Sequence, residues 1–302
     1  MAAGAATPVG RGSAGGHSGA PLGTTPVGLG RVTLVPLYVY CLLTAPDRPE
    51  LADLAGIDAN QPLTLRSVGS VVAVLSQVGA DFEEDRLNDH VRDLEWLSPR
   101  AVRHHAVVDA LYARASVVLP LAFATLFASP ESLDAELLRD QQALLHRLEF
   151  LRGKEAWELK LRRDATAFEA ALVAHSQTLR DVQEALQRQG GPGATFMLRK
   201  KLERLRAEEA LALRRQVRVE VHAALSAACA QARVDSLDVA GVGESGELEM
   251  KSAYLVDHQR ADGMKLAAQG QAAQYGQLGY SLELSGPWPA FSFAGALGGA
   301  SV

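Results

Sequence analysis

The chain has 302 residues, 48% hydrophobic and 22% charged, with a net charge of −5 at neutral pH. That balance suits a soluble globular protein of one large or two modest domains, and its mild acidity offers no general attraction to nucleic acid or to an anionic membrane. No apolar run reaches the about 18 residues of a spanning helix, and the start lacks the charged stretch and apolar core of a secretory signal, so no membrane or export role is expected.

Residues 1–31 are rich in Gly, Ala, Pro and Thr, with Arg11 and Arg31 as the formal side-chain charges. Such a segment has too little large apolar surface to offset its ordering entropy, and a disordered tail is expected. "GLGRV" at 28–32 resembles a glycine-rich phosphate loop only superficially. It lacks the full spacing, a preceding strand and the Lys-Ser/Thr pair.

"VPLYVYCLL" from Val35 is β-branched, aromatic and short, as a buried strand should be. "LTLRSVGSVVAVLSQV" reads as two strands joined at Gly69-Ser70. Two helices follow. The first is expected over about Asp85–Leu94; the second starts at the cap-proline pair Ser98-Pro99 and buries Val102, Ala106, Val107, Ala110 and Leu111. Together these segments make a small α+β unit.

A second unit is expected to open with a strand in "SVVLPLAFATLF" at 116–127. A helix follows, capped by Ser129 with Pro130 at its first position. In "AWELKLRRD", Trp157, Leu159 and Leu161 alternate with charged residues, the pattern of a half-exposed strand. "ELEMKSAYLVD", a helix near 259–273 and "GYSLELSGPW" complete the series. With 164–233 set aside, the order is strand-helix-strand twice, which suits a split βαβ, ferredoxin-like sandwich.

The segment set aside is strongly periodic. Phe168, Leu172, His175, Leu179, Val182 and Leu186 are spaced as a heptad seam in which His175 is a polar register device. A break at 188–194 precedes a longer helix over about Thr195–Gln231, and the two form an antiparallel coiled-coil hairpin. The mixed charges between Lys200 and Arg215 read as a solvated face.

Chemistry is sparse. Cys41 and Cys229 form neither a CxxC pair nor zinc spacing, and two free, packed thiols in a reducing cytoplasm are expected. His104 and His105 point about 100° apart on a helix, with no ligand three or four positions away, so packing or surface roles are expected. Ser76, Ser129 and Ser285 lack a nucleophile-elbow setting. The acidic run Asp81, Glu83, Glu84 and Asp85 lacks EF-hand spacing and suits a helix start. No catalytic, cofactor-binding or metal-binding residue is assigned.

The conspicuous segment is "LSGPWPAFSF" at 284–293. Two prolines withdraw backbone donors, so a central strand cannot continue past Gly286. Trp288, Phe291 and Phe293, with Pro287 and Pro289, either pack across their own domain or are offered to a partner.

A series of blocks carries a family resemblance. In order they are "LYVYCLL" at 37–43, "VGSVVAVLSQV" at 68–78, "LEWLSPRAVRHHAVVDAL" at 94–111, "VLPLAFATLFAS" at 118–129, "LRGKEAWELKL" at 151–161, "GPGATFMLRKKLE" at 191–203, "SAYLVD" at 252–257 and "LELSGPWPAFSF" at 282–293. Over about 35–293 the chain resembles the gas vesicle protein F/L (GvpF/GvpL) family. The lead-in lies outside that pattern, and the loop before "SAYLVD" is short.

The resemblance implies a cytoplasmic accessory or minor shell component of gas vesicle assembly, without enzymatic activity or cofactor. Its implied partners are the very hydrophobic shell subunit, whose aggregation it would limit, and other accessory proteins. It also implies an α+β fold of two domains: a ferredoxin-like domain at 32–115, then a split βαβ domain at 116–295 with the helical hairpin inserted at about 164–233. Residues 296–302 are expected to be a flexible end. The alternative function is an interaction scaffold that gathers accessory proteins through the hairpin. An enzyme or small-molecule binder is disfavoured by the missing site.

Overall fold

The computed structural model describes residues 36–297, apart from 83, 91, 189–190, 236–241 and 244–245. The expected tail at 1–31, Glu83 of the acidic run, Gly190 of the hairpin turn and residues 298–302 lie outside the described residues.

The first sheet grows from Leu37–Thr44 (β1), Thr64–Val68 (β2) and Val71–Gln77 (β3). β2 and β3 meet at the expected turn: Val68 pairs with Val71, and Gly69 takes the positive φ of +57° that glycine supplies there. β1 lies antiparallel to β3, with a register shift between Val39 and Cys41. Leu37, Val39 and Leu42 therefore share one face, while Tyr38, Tyr40, Cys41 and Leu43 share the other. The shift reverses the alternation after Tyr40, and apolar residues on both faces of β1 are covered.

Helices Glu84–His90 (α1) and Leu94–Tyr112 (α2) follow. α2 starts a turn before the expected Ser98-Pro99. Asp93 caps it by accepting the Glu95 N–H at 2.9 Å. Trp96, stacked on His90 at 4.8 Å and packed on Phe82 at 5.2 Å, holds the turn that precedes Pro99. The buried face also differs from expectation. Val102 is 65% exposed, and His104, Val107, Val108 and Leu111 face inward.

Residues 116–127 do not open the second sheet. Leu119–Pro120 (β4) and Leu126–Phe127 (β5) are two short strands that both pair with β1, giving the order β2-β3-β1-β4 with β5 beside β1. The predicted helix after Ser129 is divided at Asp140 into Pro130–Arg139 (α3) and Gln141–Leu151 (α4). Both pack on the first sheet. The changeover between sheets thus falls at Arg152-Gly153 rather than at 115/116.

The second sheet starts with Lys154–Arg163 (β6). The chain then leaves through Ala165–His175 (α5), Gln177–Arg188 (α6) and Pro192–Ser226 (α7), and returns as Gln231–Val234 (β7). Val242–Gly243 (β8), Gly246–Asp257 (β9), Ala261–Gly276 (α8), Tyr280–Trp288 (β10) and Phe291–Ala294 (α9) complete it. The strand order is β10-β6-β9-β7, antiparallel throughout, with β8 against β9.

The hairpin, expected as an insertion at about 164–233, is the crossover from β6 to β7. Gln231–Val234, expected at the end of the long helix, pairs with Leu255–Ser252 of β9 instead. The seam helix is also interrupted. Ser176 is extended, and its hydroxyl accepts the Leu179 N–H at 3.3 Å to start α6. His175 is consequently exposed rather than on the seam.

Three apolar clusters connect these layers. α2 covers the Tyr38 face of the first sheet. α3, α4 and the chain end cover its Leu42 face, where Ala156 and Leu255 of the second sheet join them. α5–α8 cover the Trp157–Leu161 face of the second sheet. Residues 296–297, expected to begin a flexible end, are held: Arg147 donates to the Ala296 carbonyl at 3.2 Å, and Leu297 is buried.

Candidate partner-binding surface at the end of β10

β10 is an edge strand, and its last residues are irregular. The ladder with β6 runs regularly to Ser285, shifts, and resumes with Trp288 opposite Ala156. Proline is tolerated in such an edge position because no inward ladder bond is lost there. Gly286 has φ +147°, and a Cβ on it would stand 2.9 Å from the Ala156 carbonyl oxygen. A cis peptide bond joins Gly286 to Pro287.

The five sequence-predicted residues divide. Pro289 is buried, and Phe293 packs against the cluster beneath α4. Phe291, partly buried, sets its ring against His105 at 4.7 Å and His104 at 5.8 Å. Pro287 is exposed. Trp288 is 49% exposed, with its indole N–H directed to the Ser285 hydroxyl at 3.4 Å. The segment thus anchors itself through Pro289, Phe291 and Phe293 and leaves Trp288 on a rigid mount.

Trp288 and Phe291 stand at a cleft of about 430 Å³ between α2 and the second sheet. Its other walls include His105 and Asp109 of α2, Ala156, Glu158 and Lys160 of β6, and Ala253 of β9. Glu158 is neutralised by Lys251 at 2.9 Å and Lys160 at 3.4 Å. Among the described residues, no cation lies within ion-pair distance of Asp109. Burial pushes the Asp109 carboxyl up, and His105 one turn earlier offsets that only in part. Sequence reasoning missed His105 and Asp109 as cleft residues, because their placement follows from the rotated face of α2.

The His104-His105 pair resolves into packing. His104 Nε2 meets the Leu121 carbonyl at 3.1 Å, so that nitrogen carries the proton. Its Nδ1 then accepts from the Tyr38 hydroxyl at 2.9 Å, and that hydroxyl accepts the Ala124 N–H at 3.1 Å. Burial, with a smaller contribution from His105, pushes His104 down to about 4.

Neither thiol is activated: burial pushes Cys41 strongly upward and Cys229 up to about 11. Among the described residues there is no cluster of three His, Cys, Asp or Glu fit to hold a metal, and no helix long and apolar enough to cross a membrane.

A second exposed apolar surface lies on the hairpin. α6 packs along α7, which at 35 residues is roughly 52 Å long. Its fully buried residues, Leu213, Val217, Val221 and Leu225, all lie in its C-terminal half. Near its other end Phe196 is 60% exposed and Met197 68% exposed.

Comparison with known proteins gives consistent results. The profile of the family described as "Gas vesicle synthesis protein GvpL/GvpF" matches residues 36–295. Gas vesicle protein L of Streptomyces sp. (strain CB03234) is 30% identical, over 85% of this chain and 92% of that protein. Gas vesicle protein L2 of Halobacterium salinarum is 27% identical, over 85% of this chain and 90% of its own length. Gas vesicle protein F of the same Streptomyces is 28% identical, over 85% of this chain and 98% of its own length. In fold, the chain is similar to crystal structures of GvpF from Anabaena sp. PCC7120 (TM-score 0.63, 14% identity, 86% of this chain and 98% of that one) and Microcystis aeruginosa (TM-score 0.58, 14% identity, 86% and 99%). A match that runs through both sheets, the hairpin and the Trp288 segment places this chain in the GvpL/GvpF family of gas vesicle synthesis proteins.

Proposed function

We propose that this protein is a non-enzymatic component of gas vesicle assembly that binds the hydrophobic shell subunit and limits its aggregation during nucleation. Family membership supports the role in gas vesicle formation and the association with gas vesicles; a cytoplasmic location goes with that proposal. The observation that carries shell binding is Trp288, a large aromatic left half-exposed on a segment whose neighbours are packed. Aromatic anchors of this kind concentrate interface energy.

The proposal includes a fold of two ferredoxin-like halves. Helices connect β6 to β7 and β9 to β10, and the order β10-β6-β9-β7 suits a split βαβ, ferredoxin-like half. The first sheet has the corresponding order with a loop in place of its first helix, which supports an α+β protein of two related halves.

The test is genetic and optical. The gene is deleted from a gas vesicle cluster, and pressure-collapsible light scattering is read from whole cells complemented with wild type or Trp288→Ala. Loss of scattering, restored by wild type and not by a stably folded Trp288→Ala, is expected. Unchanged scattering on deletion, or full rescue by the variant, would sink the proposal.

The second reading is a scaffold that gathers other accessory proteins through the hairpin. Phe196 and Met197 favour it, because they expose apolar surface far from the buried half of α7.

A further inference from the structure

The cleft beside Trp288 has a charge pattern of its own. Glu158 and Lys160 offset one another, and Lys251 adds a second partner to Glu158. Asp109 alone faces the cleft without a cation among the described residues, and its carboxylate accepts no hydrogen bond there. Asp109 is exposed at the mouth of the cleft, so its negative charge is open to an incoming cation. Phe291 and Trp288 supply aromatic surface at the same opening. Aromatic faces attract guanidinium and ammonium groups, most strongly where water is excluded. A carboxylate, two aromatic rings and apolar Ala156 and Ala253 together match a long side chain with a methylene stem and a cationic head.

We infer that the cleft between α2 and the second sheet is a receptor for an arginine or lysine side chain of the bound partner, with Asp109 as its counter-ion and Trp288 and Phe291 flanking the stem. The inference rests on the partner-binding reading of the Trp288 segment and names the side chain which that surface selects. It also gives the surface a source of specificity that apolar contact lacks, since only a segment with a correctly placed cation neutralises Asp109.

The experiment uses the full chain and two small probes. N-acetyl-arginine amide and its neutral isostere N-acetyl-citrulline amide are titrated while the indole N–H resonance of Trp288 is followed, assigned by its loss in Trp288→Ala. The expected result is a saturable shift with the arginine probe, weakened about tenfold or more in Asp109→Asn, and no saturable shift with citrulline. Asp109 is on the surface of α2, so this isosteric change should keep the thermal unfolding midpoint and a folded spectrum. No response to arginine, an equal response to citrulline, or wild-type affinity in Asp109→Asn overturns the inference. Capture of the purified shell subunit is measured alongside. Capture lost in Trp288→Ala but kept in Asp109→Asn leaves shell binding standing and removes the cation receptor from it. A cleft that takes the arginine probe without any capture of shell subunit overturns shell binding and leaves the receptor.

Discussion

Glu249 of β9 and Arg163 of β6 form a buried ion pair, Arg163 Nε donating to Glu249 Oε1 at 2.8 Å. Arg214 of α7 completes the arrangement, reaching Oε2 of the same carboxylate at 3.1 Å and Oε1 at 2.9 Å. The carboxylate therefore clamps the hairpin to the sheet from which it departs. Glu249→Ala leaves the buried Arg163 with Glu247 as its ion-pair partner and Arg214 partly in solvent, so it should cost about 2 kcal/mol. Urea unfolding measures it; a loss below about 1 kcal/mol would show that the clamp carries little stability.

His104 makes stability depend on pH. Its folded value is about 4, against 6.5 for a free imidazole. The unfolded chain therefore binds the proton more readily, and stability falls as pH drops from 6.5 towards 4. Over that window the loss is about 3 kcal/mol. The contribution is fully present above pH 6.5. His104→Gln should be less stable at neutral pH yet lack this part of the slope. Parallel slopes for the two proteins between pH 7 and 4 would show that other groups account for it.

Gly286 is predicted to tolerate no side chain. Its φ of +147° is a region open essentially to glycine, and a Cβ would meet the Ala156 carbonyl at 2.9 Å. Gly286→Ala should destabilise by about 2 kcal/mol and displace Trp288, with shell-subunit binding falling alongside. A variant as stable as wild type would show that the end of β10 relaxes freely.

Trp288→Ala tests the partner surface without testing the fold. Because the ring is half exposed, unfolding free energy should change by no more than about 1 kcal/mol. Shell-subunit affinity should fall by about 2 kcal/mol, roughly thirtyfold. Wild-type affinity, or collapse of the fold, would each rule against an aromatic anchor.

Phe196→Ser with Met197→Ser addresses the hairpin. Both side chains are exposed, so the melting temperature should hold. If the scaffold reading is right, co-purification of other accessory proteins is lost while capture of the shell subunit survives. Loss of both would assign the hairpin to shell binding instead.

Local chemistry made several elements legible in the sequence: the β2-β3 turn at Gly69-Ser70, the Ser129-Pro130 cap, the alternating strand at Trp157–Leu161, and the presence of a helical hairpin. Each rests on residues within a few positions of one another. The ordered blocks from 37 to 293 likewise sufficed to indicate the family.

What needed the tertiary structure were the choices that depend on distant partners. The face of α2 is decided by Tyr38, 66 residues away, whose hydroxyl captures His104 and draws a polar residue into the core. The short strands at 119–120 and 126–127 join the first sheet because β1 offers them its open edge, and Gln231–Val234 becomes strand because β9 does the same. Ser176 interrupts a seam whose heptad spacing alone would continue it. The cleft at Asp109 and Trp288 is the plainest case. Its walls come from α2, β6, β9 and β10, and no periodicity within one segment encodes that four segments converge. Hydrophobic pattern and capping act over a few residues, so the sequence by itself determined the locally encoded elements and indicated the family. Strand pairing, helix rotation and the uncompensated charge at Asp109 are set by contacts across the chain, so only the folded protein decided which residues line the cleft beside Trp288.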